Sequence, residues 1–159
     1  MKYKKLILML IPLVLFGCAN KQINSIYEES KVESYVLGKF KIKTGTKKEN
    51  GYFSYKQGNG AATFSLGKSY LMPEKRINFS EDFKISLSDI FKEEIIESKY
   101  LITGQELRGL LMGKPSNSFK KNFDVSFTFS KNLSFPNKIL IKTNKVEITL
   151  IINEQNLVL

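Results

Sequence analysis

The chain has 159 residues, 25 of them basic and 15 acidic, for a net charge of +10, and it has no histidine, no tryptophan and one cysteine. Without histidine the usual general base, the usual zinc ligand and every histidine-dependent catalytic triad are ruled out. A single cysteine cannot close an intramolecular disulfide, so stability has to come from packing.

Lys2, Lys4 and Lys5 precede an apolar run from Leu6 to Phe16, interrupted by Pro12, and Gly17 leads into Cys18. That is the layout of a secretory signal, and the run falls short of the roughly 20 residues that a bilayer span needs. Leu15-Phe16-Gly17-Cys18 resembles a bacterial lipobox, in which a diacylglyceryl group is added to the cysteine thiol and the signal is cut off just before it. Residues 1–17 therefore read as a signal peptide, 18–22 as a lipidated tether and 23–159 as one domain, a size that suits a single core. Loss of the three signal lysines lowers the net charge to about +7. The other lysines are scattered, and the signal takes the chain out of the cytoplasm. The charge thus points to an anionic membrane surface or simply to a solvated face, and away from nucleic acid.

From Ile23 to about Ser34, Ile23, Ile26 and Tyr27 recur at helical spacing, which predicts an amphipathic helix. Val36, Gly38, Phe40, Ile42 and Thr44 then alternate with Leu37, Lys39, Lys41 and Lys43, the period of a strand with one buried and one lysine-rich face. Asn50-Gly51 is a hairpin signal before a second strand, Tyr52 to Lys56, with Phe53 and Tyr55 on one face. Gln57-Gly58-Asn59-Gly60 is a turn leading to a third strand, Ala61 to Leu66. Tyr70, Leu71 and Met72 follow a Gly-Lys-Ser turn without alternation and precede Pro73, so they either begin the next strand or project from a loop.

Arg76 to Phe79 and Phe83 to Leu87 read as two short strands with Ile77, Phe79, Phe83, Ile85 and Leu87 inward. Ser88 is placed to cap a helix through Phe91 and Ile95 towards Tyr100, although Ile95-Ile96 could also start a strand. Thr103-Gly104-Gln105-Glu106 is a capping box; Leu107, Leu110 and Leu111 follow on one face, and Gly113 with Pro115 ends the helix. After a polar loop, Phe123, Val125, Phe127 and Phe129 alternate with polar residues as a strand. Lys138 to Thr143 and Val146 to Asn153 form a hairpin around Asn144-Lys145, with Val146, Ile148, Leu150 and Ile152 inward. The whole predicts an α+β, mainly β domain, an antiparallel sheet flanked by a few short helices. Its carboxylate pairs, Glu28-Glu29, Glu81-Asp82 and Glu93-Glu94, are sequence neighbours that do not converge on one point, so no catalytic residue, metal or cofactor is expected.

Five landmarks in order, Gly38-Lys39-Phe40, Gly51 to Tyr55, Leu66 to Ser69, Leu107 to Pro115 and Phe135 to Ile139, lie behind the lipobox. This arrangement resembles the LolB family, outer-membrane lipoproteins that receive other lipoproteins from a periplasmic carrier similar to LolA. Tyr55 stands where that family usually has tryptophan. The resemblance implies a curved, open antiparallel half-barrel whose short helices cover an apolar cavity for acyl chains, and a monomer anchored by Cys18 to the periplasmic face of the outer membrane. Ala19, which is not the aspartate that often retains lipoproteins in the inner membrane, agrees with that location. Cavity-lining residues would be Phe40, Ile42, Phe53, Tyr55, Phe64, Ile77, Phe79, Val125, Phe127, Phe129 and Ile148, although the same side chains could pack a dry core. The resemblance also implies a membrane-contact loop between the third and fourth strands. Its leucine is Leu66 if the turn is aligned, and Leu71 or Met72 if apolar exposure is the guide. Partners would be the carrier, cargo lipoproteins and outer-membrane lipid. Two other readings stay open: a lipoprotein that binds a hydrophobic ligand without carrier exchange, and a structural surface lipoprotein with a filled core.

The signal pattern generates the first prediction: mass spectrometry of the N-terminal peptide of the membrane-extracted protein finds Cys18 first and acylated. An unmodified cysteine or an intact signal refutes it.

Overall fold

The computed structural model describes residues 33–80, 83–91, 100–131 and 134–157. Cys18 and the predicted first helix lie outside them, except that Ser34 opens a strand instead of closing that helix. In chain order the elements are β1 (Ser34–Thr44), β2 (Lys47–Gly58), β3 (Ala61–Gly67), β4 (Lys75–Phe79), β5 (Lys84–Ser86), α1 (Leu87–Phe91), β6 (Leu101–Thr103), α2 (Gly104–Leu111), α3 (Asn117–Asn122), β7 (Asp124–Thr128), β8 (Lys138–Lys142) and β9 (Val146–Asn156). Seven strands make one antiparallel sheet in the order β4-β3-β2-β1-β9-β8-β7, which does not close on itself, while β5 and β6 pair separately as a two-stranded ribbon.

The sheet is built outward from β1, which pairs along its whole length with β2 and for most of it with β9. Alternation sends Val36, Phe40 and Ile42 into the core and Lys39, Lys41 and Lys43 into water, as the sequence predicts. Across the β1–β2 ladder Gly38 faces Phe53 and Phe40 faces Gly51. A Cβ on Gly38 would lie 2.4 Å from the Phe53 ring, and one on Gly51 would lie 2.7 Å from the Phe40 ring. Each ring therefore rests on the backbone of the neighbouring strand, and only glycine leaves room for it.

This pairing moves a turn. Asn50-Gly51 sits inside β2 and makes no hairpin, because Gly51 is the seat for Phe40. The chain reverses instead at Gly45-Thr46, where Thr44 pairs with Lys47 and Gly45 has φ +58°, the glycine-first arrangement of a tight II′ hairpin. The next reversal is where the sequence places it: Asn59 (φ 52°) and Gly60 (φ 76°) both take left-handed conformations, as a I′ turn requires.

Short helices cover the core face. The strand predicted from Phe83 to Leu87 is only Lys84–Ser86, and α1 begins at Leu87. The cap is Ser86, not Ser88: the Asp89 N–H donates to Ser86 Oγ at 3.0 Å, and the Ser86 hydroxyl donates to the Asp89 carboxylate at 2.7 Å. Phe83, predicted inward, is exposed and meets Phe79 edge-on at 5.9 Å, since the chain is already leaving the main sheet for the ribbon. Leu87, Ile90 and Phe91 are buried, and Phe91 stands 6.1 Å from Phe40.

Helix α2 is capped as predicted. Glu106 N–H donates to Thr103 Oγ1 at 3.1 Å, and Thr103 N–H donates to the Glu106 carboxylate at 3.2 Å. The same carboxylate accepts the Tyr100 and Ser116 hydroxyls, at 2.9 and 2.8 Å, so Glu106 ties together three successive segments of chain. Leu107, Leu110 and Leu111 are buried, each contributing about 1.5–3 kcal/mol. The polar loop expected after Pro115 contains α3, capped by Ser116 and held by the buried Phe119.

A Thr103→Ala variant loses the cap while Leu107, Leu110 and Leu111 still pack. Its unfolding free energy is expected to fall by about 1 kcal/mol, measured by chemical denaturation.

Candidate functional site

Two features stand where the sequence places candidate function: the face of the sheet under the helices, and the loop between β3 and β4. On the covered face Phe40, Ile42, Phe53, Tyr55, Phe64, Ile77, Phe79 and Ile148 belong to one buried cluster, with Val125 and Phe127 half-buried against it. Phe53 and Phe64 lie 5.8 Å apart, ring to ring. A pocket beside these residues, lined by Phe40, Leu66, Ile90 and Phe91 together with the polar Glu49, Asn50, Lys68, Glu74 and Lys75, has about 30 Å³, the room of a water molecule and far below that of an acyl chain. Phe129 departs from the set. It follows the end of β7, is 52 % exposed, and sits near Gly113 and Pro136 rather than facing inward. Tyr55 donates from its hydroxyl to Gln57 Oε1 at 3.0 Å, and burial raises its phenol pKa while the nearby Arg108 charge opposes the rise.

The β3–β4 loop has a defined shape. Its ends close on Gly67, whose position lies within 3.0 Å of Met72, Pro73 and Glu74 backbone atoms if a Cβ is added, and the Glu74 N–H donates to Leu66 O at 2.9 Å. Leu66 is 6 % exposed and is core, because it is still an inward position of β3 opposite Phe53; this removes it as the exposed leucine. Leu71 is 90 % exposed and Met72 78 %. Tyr70, Leu71 and Met72 belong to the loop and do not begin β4.

Tyr70 explains how two large apolar side chains stay in water. Its ring packs on Tyr52 at 4.6 Å, and Lys39 lies over the other aromatic of that pair, 5.5 Å from the Tyr52 centroid. Its hydroxyl reaches across the outer face of the sheet and donates to Gly38 O at 3.0 Å. That acceptor lies at an irregularity in the β1–β9 ladder: Leu37 pairs with Glu154 and Gly38 with Ile152, so Asn153 is skipped, and its side-chain amide donates to the Tyr70 hydroxyl at 3.4 Å. The Leu71 N–H donates to Ser69 Oγ at 3.2 Å. Held on both sides, the Leu71-Met72 tip has no path back to the core. Sequence reasoning missed Tyr70 as the anchor, since nothing in the pattern around Asn153 marks a bulge.

No protein-family model matches the chain, and no curated protein matches it in sequence.

Burial, first, raises the Tyr70 phenol pKa, and the Asn153 hydrogen bond opposes it. The Tyr70 to Gly38 bond therefore contributes fully below about pH 10 and is lost as pH climbs through the raised value. Tyr70→Phe should lower stability by about 0.5–1 kcal/mol and speed amide exchange at residues 69–72, and it should remove the alkaline loosening of this loop that is expected of the parent. Unchanged exchange refutes the anchor.

Proposed function

We propose that the chain is a lipoprotein receiver similar to LolB: anchored through Cys18 at the periplasmic face of the outer membrane, it accepts acylated lipoproteins from a periplasmic carrier as a monomer and delivers them to the bilayer. The observation that carries this reading is the Leu71-Met72 tip, two adjacent large apolar side chains held out in water by a closed loop and a tyrosine anchor. A soluble protein gains nothing from that arrangement, whereas a protein that must set its cargo site against a membrane does. The open antiparallel sheet with short helices over one face agrees with a half-barrel, and the Phe-on-Gly seats of β1 and β2 are where such a sheet could bend.

In this reading the acyl chains take the space between sheet and helices. The pocket beside Phe40 and Phe91 has only about 30 Å³, so entry there requires α1 to move, separating Phe91 from Phe40. Release is into the bilayer, which keeps the chains out of water, at about 0.8 kcal/mol per methylene relative to exposure. No bond is made or broken, and no cofactor is used.

The packed core favours one other reading, a surface lipoprotein that binds no lipid. Two measurements separate them. Leu71→Glu with Met72→Glu is expected to leave acceptance of a lipoprotein from the carrier intact and to abolish delivery to liposomes. The parent protein is also expected to take up an apolar fluorescent probe, and Phe127→Asp to lose that uptake while staying folded. Delivery that persists in the loop variant overturns the membrane role of the tip, and absence of probe uptake by the parent establishes the filled core.

A further inference from the structure

The strand registers bring several turns to one end of the sheet. Thr44 pairs with both Lys47 and Val146, Gly67 with Tyr52, and Asp124 with Lys142. The β1–β2 turn, the β8–β9 turn and the junction between α3 and β7 thus share that end, while the β3–β4 loop leaves the sheet further in, at Tyr52 opposite Lys39. At its β7 side a depression of about 860 Å³ opens between the end of α3 and the β8–β9 turn. This is the size of a small-molecule site rather than of a surface dimple.

The chemistry of its wall is divided. Lys120 and Lys121 enter from the last turn of α3, Lys142 from the end of β8 and Lys145 from the β8–β9 turn, against one carboxylate, Asp124. Lys142 also meets Glu147 at 3.7 Å, but both side chains are nearly half exposed, so the pair is weak and does not neutralise the rim. The base is aromatic. Tyr100 and Phe123 meet edge-on at 5.3 Å, and Phe119 stacks behind Phe123 at 4.7 Å. The Tyr100 hydroxyl is tied to Glu106 at 2.9 Å, so this floor is fixed by the capping box of α2.

We infer that the depression between α3 and the β8–β9 turn holds the headgroup of an anionic phospholipid, its phosphate among Lys120, Lys121, Lys142 and Lys145 and its glycerol on Tyr100 and Phe123. The inference rests on the reading of the chain as a membrane-anchored lipoprotein, not on exchange with a carrier. Ammonium rings around a concave site recognise a phosphate as point charges, and their number selects against a zwitterionic headgroup, whose own cation they repel. The cavity is larger than inorganic phosphate needs, and its aromatic floor gives an apolar surface to the carbon atoms next to the phosphate.

The test uses the full chain reconstituted in vesicles of phosphatidylcholine with or without phosphatidylglycerol, doped with a phospholipid carrying a photoreactive headgroup, with cross-links mapped by mass spectrometry. Labelling is expected at residues 120–125 and 142–145, only when phosphatidylglycerol is present. It should fall at least about tenfold in K121E/K145E and persist in K121R/K145R. Both side chains are exposed, and thermal denaturation checks that each variant folds. Cross-links confined to residues 68–73, or equal labelling in pure phosphatidylcholine, overturn the inference and leave the proposed delivery role standing. If soluble glycerophosphate abolishes the labelling, the site is one for free phosphate esters, and the lipid assignment falls. Loss of carrier exchange with labelling intact overturns the proposed function alone.

Discussion

Two phenylalanine rings laid on two glycines hold the centre of this protein. Phe53 covers Gly38 and Phe40 covers Gly51 across the same ladder, so each ring fills the side-chain space that its partner lacks. The exchange fixes the β1–β2 register, because a slip by one residue would drive a ring into a Cβ and turn the core face of β1 to water. Register in turn sets the positions of the turns. Once Gly51 is a seat inside β2, the hairpin must close at Gly45-Thr46, and the long β1 and β2 become the template for β9 on one side and β3 on the other.

The same central strand connects the two faces. Inward, Phe40 meets Phe91 of α1, which makes that helix part of the aromatic core. Outward, Gly38 presents the carbonyl that receives the Tyr70 hydroxyl, at the point where the β9 bulge leaves Asn153 beside it. One residue thus seats a ring on the inner face and offers its backbone carbonyl to an anchor on the outer one. The loop with its exposed apolar tip is therefore coupled to the core through one residue. Its exposure reflects a satisfied, closed backbone and not slack chain.

Much of the fold was legible from alternation. β1, β3, β4, β8 and β9 lie where the period of two predicts, and the capping box at Thr103 and Glu106 marks α2 from four residues alone. What failed did so locally and for identifiable reasons. Asn50-Gly51 has turn chemistry, yet a tertiary contact with Phe40 claims it for a strand. Ser86 and Ser88 are equally good caps in sequence, and only the departure of the chain from the main sheet selects Ser86. Helix α3 is mostly polar, and its single buried residue, Phe119, leaves no period to read. For the candidate site, the sequence named Leu71 and Met72 but offered Leu66 beside them, and it placed Phe129 with the inward residues although the strand has ended before it.

By itself, then, the sequence determined which residues alternate, where the best-capped helix begins, that the covered face is aromatic and aliphatic, and that its chemistry has no histidine to draw on. These are properties of neighbours in the chain, where side-chain direction follows from backbone period alone. The tertiary structure alone decided which glycines are turns and which are seats, that Phe40 and Phe91 approach closely enough to leave a pocket of only about 30 Å³ beside them, and that Tyr70 finds an acceptor 32 residues away. It also gathered Lys120, Lys121, Lys142 and Lys145 around one depression from separate elements. Such outcomes depend on register and on packing between distant segments, and neither leaves a periodic trace in the order of residues.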